Sequence, residues 1–523
     1  MQPVLPTVSS VIQSMQALVP PGSPAPQDAQ ILVQLQQLTQ SLIQAYQAAG
    51  QLQDDPFREA RTRQLHLYEA DVRSQLAHKV VLVTGGEGCV GSHLIQRLVE
   101  LGVDRIISVD HGRCCSQLVL QPIEGQQPGV LLYAADVRDY EAQQQIFATE
   151  KPDIVFHLAA QRLPGVAEKR IHETITTNVF GTQNIIRLCE EYGVQQCVFS
   201  STGKASRYYT AEVYAATKKV AEWLLAAAAE RGRVRYGMVR FTHMLDNSSM
   251  CQQIDHKIQQ EQPINIHAPN RFVLGQNVGE AVHLLLNALV YSEFGHLKFL
   301  LVRNLGWPAE SLEVALYKLL ESGKQLPIYF EGIQLGYEEC FFLGQVNWEK
   351  QTDINTLINV LETAYNAQVS SSGDMIVAEV TPFSRHVLMQ QLTILKTLCD
   401  DSKLLEPEQM MKWGLAKLVQ EVAKSSFLGA SPQSSLQILK WGVSPKQFQR
   451  GELDLRAHQN TVELLVQSLH GRLTKDLLQA SQLSLQEFQE ILLVLSTLPS
   501  VRGEVAYFQA ILSGMVPTSL QAA

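Results

Sequence analysis

Two groups of residues in this sequence have the types and spacing to do chemistry. The first lies in "VVLVTGGEGCVGSHLI", where Gly85, Gly88 and Gly91 follow an apolar run and precede a helix-like stretch. Glycine is needed where a backbone turns sharply and where a side chain would strike a pyrophosphate. The N-terminus of the next helix offers N–H groups and a positive dipole to that anion. Gly85, Gly88, Cys89, Val90 and Gly91 are therefore candidate dinucleotide contacts. A glycine triplet alone is weak evidence, but here "RIISVD" ends in Asp110 about 20 residues on, where a carboxylate would bind a ribose hydroxyl. Asp136, with Val137 after the next strand, is placed to face the adenine, and Ala159 and Ala160 close the strand-like "DIVFHLAA" as further cofactor positions. Asp110 favours NAD, because a carboxylate repels a 2′-phosphate, while Arg113 three residues later keeps NADP as the alternative.

The second group is "YAATK", which begins twelve residues after Thr202. Spacing of i, i+4 sets Tyr214 and Lys218 on one helical face, where an ammonium can lower the phenol pKa from about 10 toward neutrality and make the phenolate a usable base. Such a pair also occurs on exposed helices with no role. The preceding nucleotide loop, and Ser201 and Thr202 at a strand end, favour the catalytic reading.

These residues need a scaffold, and the sequence supplies a recognisable one. From Lys79 on, the short apolar runs "KVVLVTG", "RIISVD", "VLLYAAD", "DIVFHLAA", "QCVFSS" and "RYGMVRF" alternate with amphipathic stretches, which predicts a parallel sheet covered by helices. The fold expected is α/β, a Rossmann-type doubly wound sheet with a smaller substrate-binding part, over residues 78–367. A helical region with the Pro-rich linker "VPPGSPAPQD" precedes it over residues 1–75, in which Ile31, Leu35, Leu38, Leu42 and Tyr46 share one helical face; packing on the domain behind is favoured over a coiled coil, since the pattern is too short for three or four heptads. The Ser-rich "VSSSGD" is expected as a boundary, with a helical domain over residues 374–523. There Val462, Leu465, Val466 and Leu469 form an apolar stripe, and Ser484 and Glu487 are spaced as a capping box. A helix-turn-helix reading is disfavoured because Glu487 and Glu490 stand where DNA contact needs cations.

The net charge of −9 argues against a nucleic-acid partner. Eight cysteines without ligand-like spacing suggest reduced thiols rather than disulfides or a metal. The N-terminus lacks a basic secretory start, and no apolar run reaches the roughly 18 residues of a membrane span. A cytoplasmic enzyme with a small-molecule substrate is expected, and a homo-oligomer is allowed.

In order and spacing, "TGGEGCVG", Asp110, "HLAAQ", "TNVFGTQNII", "FSSTGKA" and "YAATK" resemble the extended short-chain dehydrogenase/reductases, and within them the polysaccharide-biosynthesis type of nucleotide-sugar epimerases and 4,6-dehydratases. The likeness continues through "VRYGMVRFTHML", "INIHAPNRFVLGQNVGEAV" and "YFEGIQLGYEE", and spans residues 65–367. It implies that Tyr214 takes the proton of a sugar 4-hydroxyl while hydride passes from C4 to NAD(P). It also implies that Lys218 holds the nicotinamide ribose and tunes the tyrosine, that Thr202 bonds the reacting oxygen, and that Asn178 supports the neighbouring helix.

The departures lie on the substrate side. Where the family reads Ser-Thr-Asp-Lys, this chain has Gly203 before Lys204, so the acid that would protonate a departing 6-hydroxyl is missing; Lys204 remains as a candidate base. His243 stands where a substrate-contacting Asn is frequent, and Gln334 where an Arg grips the nucleotide, while Arg271 matches a phosphate-binding Arg. The expected function is an NAD(P)-dependent nucleotide-sugar epimerase or oxidoreductase, with a dehydratase disfavoured. The alternatives are a dehydrogenase or reductase of another alcohol or ketone, and a non-catalytic nucleotide-binding subunit.

Overall fold

The computed structural model describes residues 7–111, 129–348, 354–401, 403 and 405–514. They divide into two compact units. One takes the residues up to His66 with Phe241–His283 and Asn304–Glu338; the other takes Leu67–Arg240, Leu284–Arg303 and the residues from Glu339 onward.

In the larger unit the six apolar runs become β1 (Val80–Thr84), β2 (Arg105–Asp110), β3 (Val130–Ala134), β4 (Ile154–His157), β5 (Gln196–Thr202) and β6 (Arg235–Phe241). They join a nine-stranded sheet in the order Ala367–Val369, Met375–Glu379, Lys298–Val302, β6, β5, β4, β1, β2, β3. β1 runs parallel between β2 and β4, with Val81 level with Ile106 on one side and Ile154 on the other. Val81, Leu82 and Val83 are fully buried, so this strand is apolar on both faces. Strand order reverses at β1 and β4, and the loops after their C-terminal ends flank the crevice where such sheets bind ligands.

The far edge of the sheet departs from the sequence expectation. Residues 369–374 are not a domain boundary but a turn, in which Ser370 N–H donates to Met375 O at 2.9 Å and Gly373 takes a φ of +82°. It joins Ala367–Val369 to Met375–Glu379, which runs antiparallel beside Lys298–Val302. The sheet thus continues past residue 374, and the helical region starts with Arg385–Asp400.

The helix Val213–Ala229 has fifteen of its seventeen residues buried, which requires cover on both sides. One side meets β5, and the other meets the helix Pro407–Gly429, which pairs with Arg385–Asp400. Gly414 permits that pairing, since a Cβ there would lie 2.5 Å from Leu398 Cδ1. Further along, Val462, Leu465, Val466 and Leu469 are fully buried on Gln459–Leu469. Ser484 and Glu487 make both bonds of the capping box on Leu485–Leu495, and the apolar side of that helix, with Phe488 and Leu495, is core.

In the smaller unit the helices Val8–Leu18 and Ala29–Ala48 do not form a region of their own. They share one core with Ser249–Gln259, Ser311–Glu321 and the parallel strands Ile264–Ile266 and Ile328–Phe330. Leu35, Leu42 and Tyr46 are buried, with Ile31 and Leu38 packed at the margin, and the Tyr46 hydroxyl donates to Glu310 Oε2 at 2.7 Å. Among the described residues no helix is long and apolar enough to cross a membrane.

Candidate active site

At the end of β1 the chain turns through Gly85, whose φ is +73° and whose N–H donates to Val109 O at 2.8 Å. A Cβ on Gly85 would lie 2.8 Å from Ala159 N, and one on Gly91 would lie 2.1 Å from Gly85 O. Both positions need glycine for the loop itself. Gly88 does not: a Cβ there meets only Gly85 O, at 3.2 Å, and is otherwise open. It begins the helix Cys89–Glu100, which no side chain caps, so Cys89, Val90 and Gly91 form an N-terminal turn of the kind that receives a phosphate. Gly86, which the triplet pattern passed over, packs on β2, where a Cβ would lie 2.1 Å from Ser108 Oγ.

Asp110 ends β2 beside this loop. Its carboxylate accepts from Glu87 N at 3.2 Å and His111 N at 2.8 Å, with His111 Nδ1 at 3.0 Å. Arg113 lies outside the described residues. Asp136 pairs with Arg138 Nη2 at 2.6 Å, and the bonds from Arg138 hold its carboxyl below the ordinary range against the opposing effect of burial. Val137 is buried against Gly181, where a Cβ would come within 2.8 Å of Val137 Cγ2. After β4, the amides of Leu158 and Ala159 donate to Thr84 Oγ1 at 3.2 and 3.3 Å, which pins the strand ends of β4 and β1 together and sets Ala159 and Ala160 beside the glycine loop.

Asn178 sits in a one-turn π-helix, Thr176–Gly181, a form that concentrates at functional sites. It is buried; its Oδ1 accepts from Gln161 N at 2.8 Å, and its Nδ2 donates to Gln161 O at 3.1 Å and Thr217 Oγ1 at 3.0 Å. Thr217 lies between Tyr214 and Lys218 on Val213–Ala229, so the loop after β4 and the Tyr/Lys helix share one fastening. Gln161 and Thr217 were not legible as site residues.

Lys218 is buried, with Nζ donating to Ser200 O at 2.6 Å and standing 4.0 Å over the Phe199 ring. Burial lowers its pKa to about 7, against the opposing charge of Glu222. Glu222, one turn on, accepts from Ser201 Oγ at 2.6 Å and holds the fully buried Arg240 together with Glu362. The hydroxyl of Thr202 accepts from Lys204 N at 3.4 Å as the β5 end turns.

Lys204, expected from the sequence as a base, has an acidic partner. Nζ donates to Glu212 Oε2 at 2.7 Å, and Glu212, itself buried, also takes Arg207 Nη1 at 2.8 Å. Burial lowers the pKa of the amine, and the ion pair with Glu212 opposes that shift. Gly203 is not an empty slot: a Cβ there would lie 2.7 Å from Leu357 Cγ, and Leu357 is buried.

The substrate-side candidates lie in the smaller unit. His243 pairs with Gly275 across a short parallel bridge, its Nε2 lies 2.6 Å from Ser248 Oγ, and burial lowers its pKa. Arg271 lies close enough to His267 to oppose its protonation. Glu331 connects His267, at 3.6 Å, with Gln334, at 2.8 Å, so Arg271 and Gln334 belong to one polar cluster while His243 is tied to Ser248.

The sequence profile of the family described as polysaccharide biosynthesis protein matches residues 81–354, more than half of the chain. The chain belongs to this family. The probable polysaccharide biosynthesis protein EpsC of Bacillus subtilis is 25% identical over 313 residues, 58% of this chain and 52% of the relative. The capsular polysaccharide biosynthesis protein CapD of Staphylococcus aureus is 25% identical over 335 residues, 61% of this chain and 54% of the relative. A UDP-N-acetylglucosamine 4,6-dehydratase (inverting) of Campylobacter jejuni is 31% identical over 170 residues, 32% of this chain and 49% of the relative. The chain thus spans about half the length of each of these relatives.

Proposed function

We propose that this chain is an NAD-dependent enzyme acting on a nucleotide sugar, an epimerase or oxidoreductase working through a 4-keto intermediate in polysaccharide or glycoconjugate biosynthesis. One observation carries the reading. Asn178 fastens the loop beside the glycine cradle to Thr217, within the turn that separates Tyr214 from Lys218. A dinucleotide crevice and a base–lysine pair held by one buried side chain are what hydride exchange at a carbinol needs. Family membership supports the sugar class, and the Campylobacter jejuni relative carries a nucleotide sugar in its name. Asp110 supports NAD, since a 2′-phosphate beside that carboxylate would be repelled.

The residues fit the dinucleotide. Gly85 and Gly91 make the cradle, the uncapped turn at Cys89, Val90 and Gly91 takes the pyrophosphate, Asp110 takes a ribose hydroxyl, and Val137, Ala159 and Ala160 line the crevice. The bound nicotinamide supplies the hydride acceptor and donor. Tyr214 removes the proton from the sugar 4-hydroxyl, and Thr202 orients that oxygen. Lys218 bonds the nicotinamide ribose and, in its protonated form, supports the phenolate. His243, Arg271 and Gln334 are proposed as sugar-nucleotide contacts. Dehydration is disfavoured, because no carboxylic acid stands at position 203 to protonate the leaving hydroxyl, and Leu357 fills that place.

The test begins with native mass spectrometry of the purified protein, which is expected to show bound NAD. Incubation with UDP-N-acetylglucosamine and UDP-glucose in heavy water is then expected to give C4 inversion or deuterium uptake. Tyr214→Phe should lower that turnover by about 10²–10⁴-fold. Wild-type turnover in a folded Tyr214→Phe protein overturns the assignment.

A further inference from the structure

The helix Pro407–Gly429 lies outside residues 81–354, yet it reaches back to the Tyr214 helix through two side chains on one of its faces. Lys412 Nζ donates to Glu168 Oε2 at 2.6 Å, and the other oxygen of Glu168 accepts from Val213 N–H at 2.7 Å. The side chain of Glu168 is 4% exposed, so its charge is compensated inside the protein by a cation that arrives 244 residues later. One turn earlier, Glu408 Oε2 accepts from His172 N–H at 3.1 Å, in the first turn of Ile171–Ile175. Spacing of i, i+4 sets Glu408 and Lys412 on one face, and they grip the 168–172 segment at its two ends.

The grip matters because of what Glu168 caps. Val213 opens the helix that presents Tyr214 one residue later, and no side chain of the preceding Glu212 caps it. A carboxylate at a helix N-terminus satisfies an otherwise orphaned N–H and complements the dipole, and it fixes where the first turn begins. Remove the Lys412 ammonium, and a buried carboxylate loses its counter-charge; it must then seek water or swing away. The first turn of the helix loses its anchor at Val213, while the Asn178–Thr217 bond still holds the next turn.

We propose that Lys412, acting through Glu168, is a positioning residue for Tyr214, and that the helix Pro407–Gly429 is thereby part of the catalytic apparatus. The inference rests on the Tyr214 reading given above, and its test separates the two. Hydrogen exchange of the full-length protein is followed at the amides of residues 213–217 in wild type, Lys412→Met, Lys412→Arg and Glu168→Gln. Lys417→Met is the control, since Lys417 pairs only with Glu421 of its own helix at 2.6 Å among the described contacts. In Lys412→Met, exchange at Val213 and Tyr214 is expected to rise by roughly tenfold, the size of one lost helix cap. Residues 220–229 should not change, Lys412→Arg should restore protection, and Lys417→Met should match wild type. Turnover should fall with dinucleotide affinity and KM unchanged, and return with Lys412→Arg.

Unchanged exchange at Val213 in both Lys412→Met and Glu168→Gln overturns the proposal. So does acceleration spread evenly through residues 213–229, which would mark a purely structural contact. Absence of any turnover in wild type overturns the functional reading alone, because the exchange comparison does not depend on activity.

Discussion

Replacing Gly88 and Gly91 by alanine, one at a time, separates a glycine kept for a ligand from a glycine kept for the loop. Gly88 has φ −74° and ψ 168°, backbone open to any residue, and its added Cβ meets only Gly85 O, at 3.2 Å. Alanine in place of glycine at this N-cap costs the free protein up to about 1 kcal/mol. If the uncapped helix start receives a pyrophosphate as proposed, the same methyl would crowd it. Overpacking of about 1–3 kcal/mol then weakens NAD roughly 5–150-fold. At Gly91 the added Cβ lies 2.1 Å from the backbone oxygen of Gly85. Carbon contacts settle near about 3.5 Å, so the loop must open by more than about 1 Å while Gly85 N–H remains tied to Val109 O. That cost falls on the free protein, and about 1–3 kcal/mol lowers the melting temperature by some 2–4 °C per kcal/mol in a domain of this scale. Calorimetric titration with NAD and a thermal scan of each apo variant read the two effects. Equal NAD affinity in wild type and Gly88→Ala, or an unchanged melting temperature in Gly91→Ala, would refute the reasoning.

Stability should rise between about pH 7 and 10.5. Burial lowers Lys218 to about 7 and Lys219 to about 8 from 10.5, so over this interval the unfolded chain holds protons that the folded one has released, and the penalty of burying the ammonium fades as pH climbs. Melting curves of apo protein should show this slope, and Lys218→Met should flatten it. Glu362→Leu leaves the buried Arg240 guanidinium half-paired; a loss of about 3–5 kcal/mol is expected, read as a lower urea midpoint. No 4-keto-6-deoxy product is expected from UDP-N-acetylglucosamine. Gly203→Asp alone should not create it, because the new Cβ strikes Leu357, and only the pair Gly203→Asp with Leu357→Ala makes room; water loss from the sugar in wild type contradicts this.

The glycine loop and the Tyr/Lys spacing of the candidate site were legible because their constraints are local. A glycine at positive φ, an acid at a strand end and an i, i+4 pair each leave a mark within a few residues, and all six early strands appear where the apolar runs stand. What was not legible depends on distant partners. The ion-pair cluster of Lys204, Arg207 and Glu212 is completed by Glu339, 132 positions after Arg207, and nothing near Gly203 announces Leu357, 154 positions away. The strand Met375–Glu379, second from the sheet edge, hid because one of its two neighbours, Lys298–Val302, lies some 75 residues earlier. The serines that suggested a boundary are turn residues, and Ser371 meets the Tyr68 hydroxyl at 2.8 Å.

The two covers of the Val213–Ala229 helix become available at very different times during synthesis. Its inner face meets β5 almost at once, but Pro407–Gly429 leaves the ribosome about 180 residues later, after roughly 9–36 seconds at 5–20 residues per second. Until then Trp223 lacks its packing beside Phe427, and until residue 379 is made the sheet lacks its last two strands as well. Such a nascent chain displays apolar surface and an open strand edge together, the combination that invites aggregation and chaperone binding. Translation rate over the carboxy-terminal third therefore bears on the yield of active protein even though the nucleotide crevice is encoded long before it.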